Sequence, residues 1–293
     1  MVGSGRGDYS SGVGAGIDTL LMTTPVTKCI FCGSSDITRE HIFSRWTHKF
    51  MAARKTGRVT SQIGTLFPDK DERRLVKLRG QVRDWQIKCV CGGLHSTCNN
   101  GWMRGIEDSA RPIIIPLILG KPTRLSDEAQ AIIATWAVLK TMVAEYDRAG
   151  HVTTHWTHRR MMLNHQLPPS KGWGVWIGHY QRVNWMPEWS SSAFLIQSRH
   201  RVARYGIRNP TFFNGSSVTQ VIGHLFIQVI HFPMPDGIIR RWRFPPTKGS
   251  ILRIWPPSAY YLRWPNHALS DMDADQIANA VAQFLDDTYR RKK

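Results

Sequence analysis

Apolar and polar positions alternate closely enough from Ile37 to Phe43 to predict a strand, with His41 near its end. A long insert follows, Trp46 to Lys88, carrying basic residues from Arg54 through Arg83. Its end runs into a second, twisted strand ending at Cys91, with apolar positions at Val76, Leu78, Val82, Trp85 and Ile87. At Cys98 the period becomes helical. Asn99 or Asn100 serves as the cap, Trp102, Ile106 and Ala110 share a face, and Pro112 is the expected stop. Ser126 opens a longer helix in which Asp127 and Glu128 suit the positive end. Ile132, Ile133, Trp136, Leu139, Val143 and Tyr146 recur at helical spacing, and Gly150 ends the run.

Residues 150 to 265 follow a different pattern. Short runs, Gly174 to Tyr180, Ala193 to Gln197 and Val218 to Phe232, are rich in β-branched and aromatic residues and separated by Gly, Pro, Asn and Ser. They predict an antiparallel sheet. From Ser270 an amphipathic helix is expected, capped by Ser270 with Asp273, with Ile277, Val281, Phe284 and Leu285 inward and a basic tail from Arg290 to Lys293. The expected class is α+β: a flexible tail over 1–24, a first domain over 25–122 and an α+β domain over 123–293 with a mostly antiparallel sheet and a C-terminal helix. The boundary falls in the Gly-Lys-Pro stretch near Lys121 to Ser126.

Composition narrows the function classes. A 42% hydrophobic share in 293 residues is ample for a packed core and argues against global disorder. The longest apolar run, Ile113 to Leu119, is far shorter than the ~20 residues a spanning helix needs, so no membrane helix is expected. Met1 to Gly16 has no apolar core behind a basic start and does not read as a secretory signal. Five cysteines, two of them spaced Cys29-x-x-Cys32, suit metal binding in a reducing cytoplasm better than a disulfide frame. The net charge of +18 makes nucleic acid the default partner.

The chemistry gathers in three pieces: Cys29-Ile30-Phe31-Cys32, Arg39-Glu40-His41, and the run from Cys98-Asn99-Asn100-Gly101-Trp102 to Glu107. Four thiolate or imidazole ligands in tetrahedral array hold Zn²⁺ well and supply folding energy to a small hairpin. Cys29 and Cys32 are the expected first pair.

Together, Cys29, Cys32, Glu40, His41, Cys98, Asn99 and Glu107 resemble the HNH, or His-Me finger, endonuclease family of bacteria and their phages, over the first third of the chain. The resemblance implies a ββα-metal module in which a β-hairpin and a following helix cage one divalent ion. It implies that His41 is the general base activating water against a phosphodiester of DNA. Glu40 and Glu107 would be hard oxygen ligands for Mg²⁺ or Mn²⁺, with Asp108 as the alternative to Glu107. Asn99 would hold the imidazole or the loop beside it, with Asn100 competing for that task. The resemblance also adds Cys98 as the third zinc ligand, and the fourth is open among Cys91, His95 and Cys89, with Cys91 preferred and His95 second. Family members usually carry Cys-x-x-Cys before the Asn, whereas here His95 stands at that spacing from Cys98 and Cys91 lies further back.

Other candidates are weaker. His151, His155 and His158 could line a helical face as a second metal site, though strand or loop fits them as well. Trp173, Trp176, Trp185 and Trp189 are core residues before they are base-stacking ones. Met161 and Met162 read as packing. The Arg199 to Arg208 and Arg240 to Arg243 stretches either track a nucleic-acid backbone or form a solvated face. The competing functions are a non-catalytic zinc-containing nucleic-acid binder and a ribonuclease.

Overall fold

The computed structural model describes residues 26–51, 58–64, 71–77, 85–92, 98–147, 152–181, 189–194, 215–232, 242–244, 250–265 and 267–290. β1 (Ile37–His41) leads through a short 3-10 turn, Arg45–Phe50, into the insert, where β2 (Arg58–Gly64) and β3 (Asp71–Lys77) form an antiparallel hairpin. β4 (Gln86–Cys91) returns to pair antiparallel with β1, so that Ile37 faces Cys91 and His41 faces Gln86. The register slips one residue where Thr38 faces Val90 and Arg39 faces Lys88, leaving Cys89 as the extra residue of a bulge.

The expected helix from Cys98 begins later than its sequence period suggests. Cys98–Met103 is a wide, kinked turn, interrupted at Gly101, and regular helix α1 runs from Arg104 to Ile118. Pro112 does not stop it; α1 passes through both Pro112 and Pro116. Each proline costs about 3 kcal/mol in a helix interior. Against that stand Ile106, Ala110, Ile114, Leu117 and Ile118, all buried on one stripe and each large aliphatic side chain contributing about 1.5–3 kcal/mol. The helix ends instead at Gly120, whose φ of +69° is the left-handed conformation that a helix C-terminus favours.

β5 (Thr123–Ser126) leads directly into α2 (Asp127–Ala144), capped as expected by the Ser126 hydroxyl, which accepts from the Ala129 N–H at 3.2 Å. α3 (Trp156–His165) precedes the large sheet: β6 (Trp173–Tyr180), β7 (Trp189–Phe194), β8 (Gly215–Ile222), β9 (Leu225–His231) and β10 (Ile251–Trp255). β11 (Tyr261–Trp264) pairs with β5, the two-residue β12 (Ala268–Leu269) pairs with β6, and α4 (Asp271–Arg290) closes the described chain. The expected Val218 to Phe232 run is two strands, folded back at Gly223 and His224.

The sheet order is β10-β6-β9-β8-β7-β2-β3, antiparallel except where β2 joins β7 and β12 joins β6. The fold is therefore mixed helix and mostly antiparallel sheet, as the α+β reading expects. The basic insert is a structural extension of the later sheet, since its β2–β3 hairpin adds to the β7 edge. Strand alternation sorts the sheet's side chains into two buried faces. One, with Trp173, Val175, Ile177, Val218 and Val229, belongs to the main core; the other, with Trp176, Phe226 and Ile230, lies in smaller clusters with Ala274, Ile277 and Val281 of α4. The Ser270–Asp273 cap forms reciprocally, Ser270 N–H to Asp273 Oδ2 at 2.9 Å and Asp273 N–H to Ser270 Oγ at 3.2 Å. The main core runs unbroken from Cys29 and Phe31 through α1 and α2 to Ile254 and Trp264, across the boundary expected near residue 122.

Candidate functional site

The turn after Cys29 is tight: the Gly33 N–H donates to the Cys29 carbonyl at 2.9 Å, and Gly33 takes a φ of +81° that side chains rarely adopt. That geometry presents Cys29 and Cys32 to the end of β4 and the start of the Cys98–Met103 turn. The Sγ atoms of Cys29, Cys32, Cys91 and Cys98 all lie within 4.8 Å of one another, and Cys32 and Cys91 are 3.3 Å apart. Tetrahedral zinc at about 2.3 Å from each sulfur has S···S edges of about 3.8 Å, so the set can hold such an ion. Cys89 is excluded from the cluster by the bulge; its carbonyl instead accepts the Ile30 N–H at 3.0 Å. His95 lies outside the described residues. Among the thiols, Cys29 is lowered to about 4, chiefly because Cys98 donates to it, while Cys98 is raised for the same reason and by burial.

Asn99 and Asn100 fasten the other side of the ladder. Asn99 Nδ2 donates to Thr38 Oγ1 and to the Arg39 carbonyl, both at 3.2 Å, three and two residues before His41, and Asn100 Nδ2 donates to the Gly92 carbonyl at 3.0 Å. Asn99 thus holds the β1 backbone and makes no bond to the imidazole. Gly92 lies against Thr38: a Cβ there would come within 2.5 Å of Thr38 Oγ1.

Alternation along β1 turns Glu40 inward and His41 to the partly exposed side. At His41 the Gln86 amide donates to Nε2 at 2.8 Å; an amide nitrogen can only donate, so Nε2 carries the lone pair of a neutral ring. Partial burial, then the charges of His48, Lys140 and Arg45, lower His41 to about 4. The imidazole is therefore unprotonated at neutral pH and available as a proton acceptor.

Glu40 and Glu107 do meet, but on a side chain that the sequence reading passed over. Lys140 of α2, fully buried, donates from Nζ to Glu40 Oε1 at 2.5 Å, to Glu107 Oε1 and to the His41 carbonyl at 3.0 Å. Glu107 Oε1 also accepts from Ser44 Oγ at 2.6 Å, and Ser44 Oγ accepts from Trp136 Nε1 at 3.0 Å. Burial raises Glu40; at Glu107 burial acts the same way but is outweighed by Lys140 and the Ser44 bond, which hold that carboxyl down. Lys140 is raised, burial being overcome by the two carboxylates. The residues as they stand do not fit Mg²⁺ or Mn²⁺ between Glu40 and Glu107, because an ammonium holds that point. Asp108 is no substitute: it is exposed and paired with Arg104 at 3.6 Å.

The other candidates separate cleanly. His155 caps α3, its ring accepting from the Thr157 N–H, and His158 Nδ1 accepts from Trp173 Nε1 at 3.1 Å. Among the described residues the four cysteines are the one metal-ligand cluster, and His151 lies outside them. Trp173, Trp176 and Trp189 are core; Trp185, Arg199, Arg201, Arg204, Arg208, Arg240 and Arg241 lie outside the described residues. Met162 is buried and Met161 exposed. No described helix is long and apolar enough to cross a membrane. No family model, no curated protein and no solved structure matches the chain.

Proposed function

We propose that this protein hydrolyses phosphodiester bonds of DNA, with His41 as the base that takes a proton from the attacking water, on a β1–β4–α1 unit tied by a structural Zn²⁺. The observation that supports this reading is the joint arrangement at the end of β1. A neutral, partly exposed imidazole sits at one end of a strand whose backbone is held by Asn99 and whose other end pairs with Cys91 of the four-thiol cluster. Zinc bound to four thiolates is coordinatively closed, so it contributes folding energy and leaves the chemistry to His41. For the base to act, water must take the place of the Gln86 amide at Nε2. The exposed Arg39 and Arg45 flank this point and suit a polyanion. So does the β5–β11 ladder, where Arg124 and Arg263 stand directly opposite each other and Arg124 lies 4.0 Å over the Tyr261 ring; like charges so paired favour an anionic partner.

Purified protein should nick supercoiled plasmid, and His41→Ala should abolish nicking while leaving DNA retention on filters nearly intact. Equal cutting by His41→Ala overturns the assignment. A second reading, a zinc-containing nucleic-acid binder without catalysis, is favoured by one observation: Lys140 stands where the family resemblance expects a divalent ion. Retention of DNA with no cleavage under any cation, and none of RNA in parallel, would decide for it.

A further inference from the structure

The Glu40–Glu107 pair has the ingredients of a cation site: a buried and a half-buried carboxylate whose Oε1 atoms converge on one point, with Ser44 and Trp136 behind Glu107. What stands at that point is the Lys140 ammonium. An ammonium has three N–H donors, and here each has an acceptor, in Glu40, Glu107 and the His41 carbonyl. All three ammonium donors are thus spent on the two Oε1 atoms and the His41 carbonyl.

Entry of a divalent ion beside Lys140 would place three positive charges against two negative ones in a water-poor interior, where such repulsion is poorly screened. Withdrawal of Lys140 would break three hydrogen bonds and leave an ammonium among the apolar side chains of α2, where Trp136, Ala137, Leu139 and Val143 are all buried. Lys140 is also not a surface side chain that rotates away: its relative exposure is 0%.

We infer that Lys140 is the resident cation of the Glu40–Glu107 site, supplied by the chain in the position a divalent ion would otherwise take, and that this site admits such an ion only when Lys140 is removed. The inference deepens the nuclease reading by making its carboxylate pair independent of Mg²⁺ or Mn²⁺. Its test reads ion uptake without any cleavage, so either idea can fail alone.

The probe is Mn²⁺, followed by electron paramagnetic resonance on the full-length chain after zinc loading. The parent should bind no Mn²⁺ that Glu107→Gln removes. Lys140→Met should gain about one Mn²⁺ per chain, and Lys140→Met combined with Glu107→Gln should lose it again. A parent that binds Mn²⁺ and loses it on Glu107→Gln overturns the inference, as does a folded Lys140→Met chain that takes up none. Should Lys140→Met fail to fold, the comparison of the parent with Glu107→Gln still decides.

Discussion

The four thiols and the Glu40–Glu107 carboxylates draw on the same elements, β1, β4 and α1 with their flanking turns, yet only the carboxylates receive a cation from the chain itself. Cys29, Cys32, Cys91 and Cys98 have one another and nearby backbone as partners. Glu40 and Glu107 have Lys140, which arrives on α2 from 100 positions beyond Glu40. The difference teaches that motif spacing foretells which ligands assemble, while the charge that neutralises them is decided by whatever element packs over the site. The thiol cluster can take its ion only from outside the chain; this carboxylate pair is completed from within.

The largest effect separating the two clusters should come from the sulfur side. Structural zinc contributes about 10–16 kcal/mol in isolated zinc-finger peptides. Cys98→Ser, or stripping with a strong chelator, should therefore unfold the β1–β4 ladder, read as lost hydrogen-exchange protection of the Ile42 amide, which donates to the Trp85 carbonyl at 3.0 Å. Unchanged protection would mean that the ladder stands without a metal. Next in size is Lys140→Met, which strands the buried Glu40 carboxylate beside the half-buried Glu107 one and should cost about 3–5 kcal/mol in urea unfolding. Adding Glu40→Gln and Glu107→Gln should recover much of that, because removal of a whole buried ion network is often nearly neutral. If the triple variant is as unstable as Lys140→Met, charge is not what Lys140 contributes.

Much of this architecture was legible beforehand, for reasons visible in particular residues. Cys29-x-x-Cys32 and Cys98 carry their own spacing, the Ser126 and Ser270 caps are local, and the sheet runs are β-branched or aromatic. Choosing Cys91 over Cys89 was harder, since strand alternation would put both on one side; the bulge that turns Cys89 away depends on pairing with β1 and leaves no trace in β4 alone. Pro112 misled because its local cost is real but smaller than the burial of the α1 stripe. Lys140 was missed because the Ile133, Trp136 and Leu139 periodicity lets a lone lysine pass for a solvent-facing position. A signal was there: neighbours on every side of Lys140 are apolar or small, and a lysine in a helix buried all round must be paired.

Smaller effects sharpen the comparison further. Asn99→Ala removes two bonds to β1 and should destabilise by about 1–2 kcal/mol, with metal content unchanged, which separates the ladder's polar fastening from its sulfur one. Loss of zinc in this variant would join the two. The mildest probe is pH. His41 sits at about 4 folded against 6.5 in the unfolded chain. The unfolded chain therefore binds its proton first as pH falls, and this share of stability is present above about pH 6.5 and lost progressively toward about pH 4. His41→Gln should flatten the melting temperature across that window, whereas an unchanged slope would place the titration elsewhere. By the same shift, nicking activity should hold its rate below pH 6.5 and fall only near pH 4.

The most direct test is elemental analysis of the chain purified from medium supplied with both zinc and manganese. One zinc per chain, retained by Glu107→Gln and lost in Cys98→Ser, with no manganese in either the parent or Glu107→Gln, is the predicted result. A parent without zinc, or one carrying manganese that Glu107→Gln releases, would contradict it.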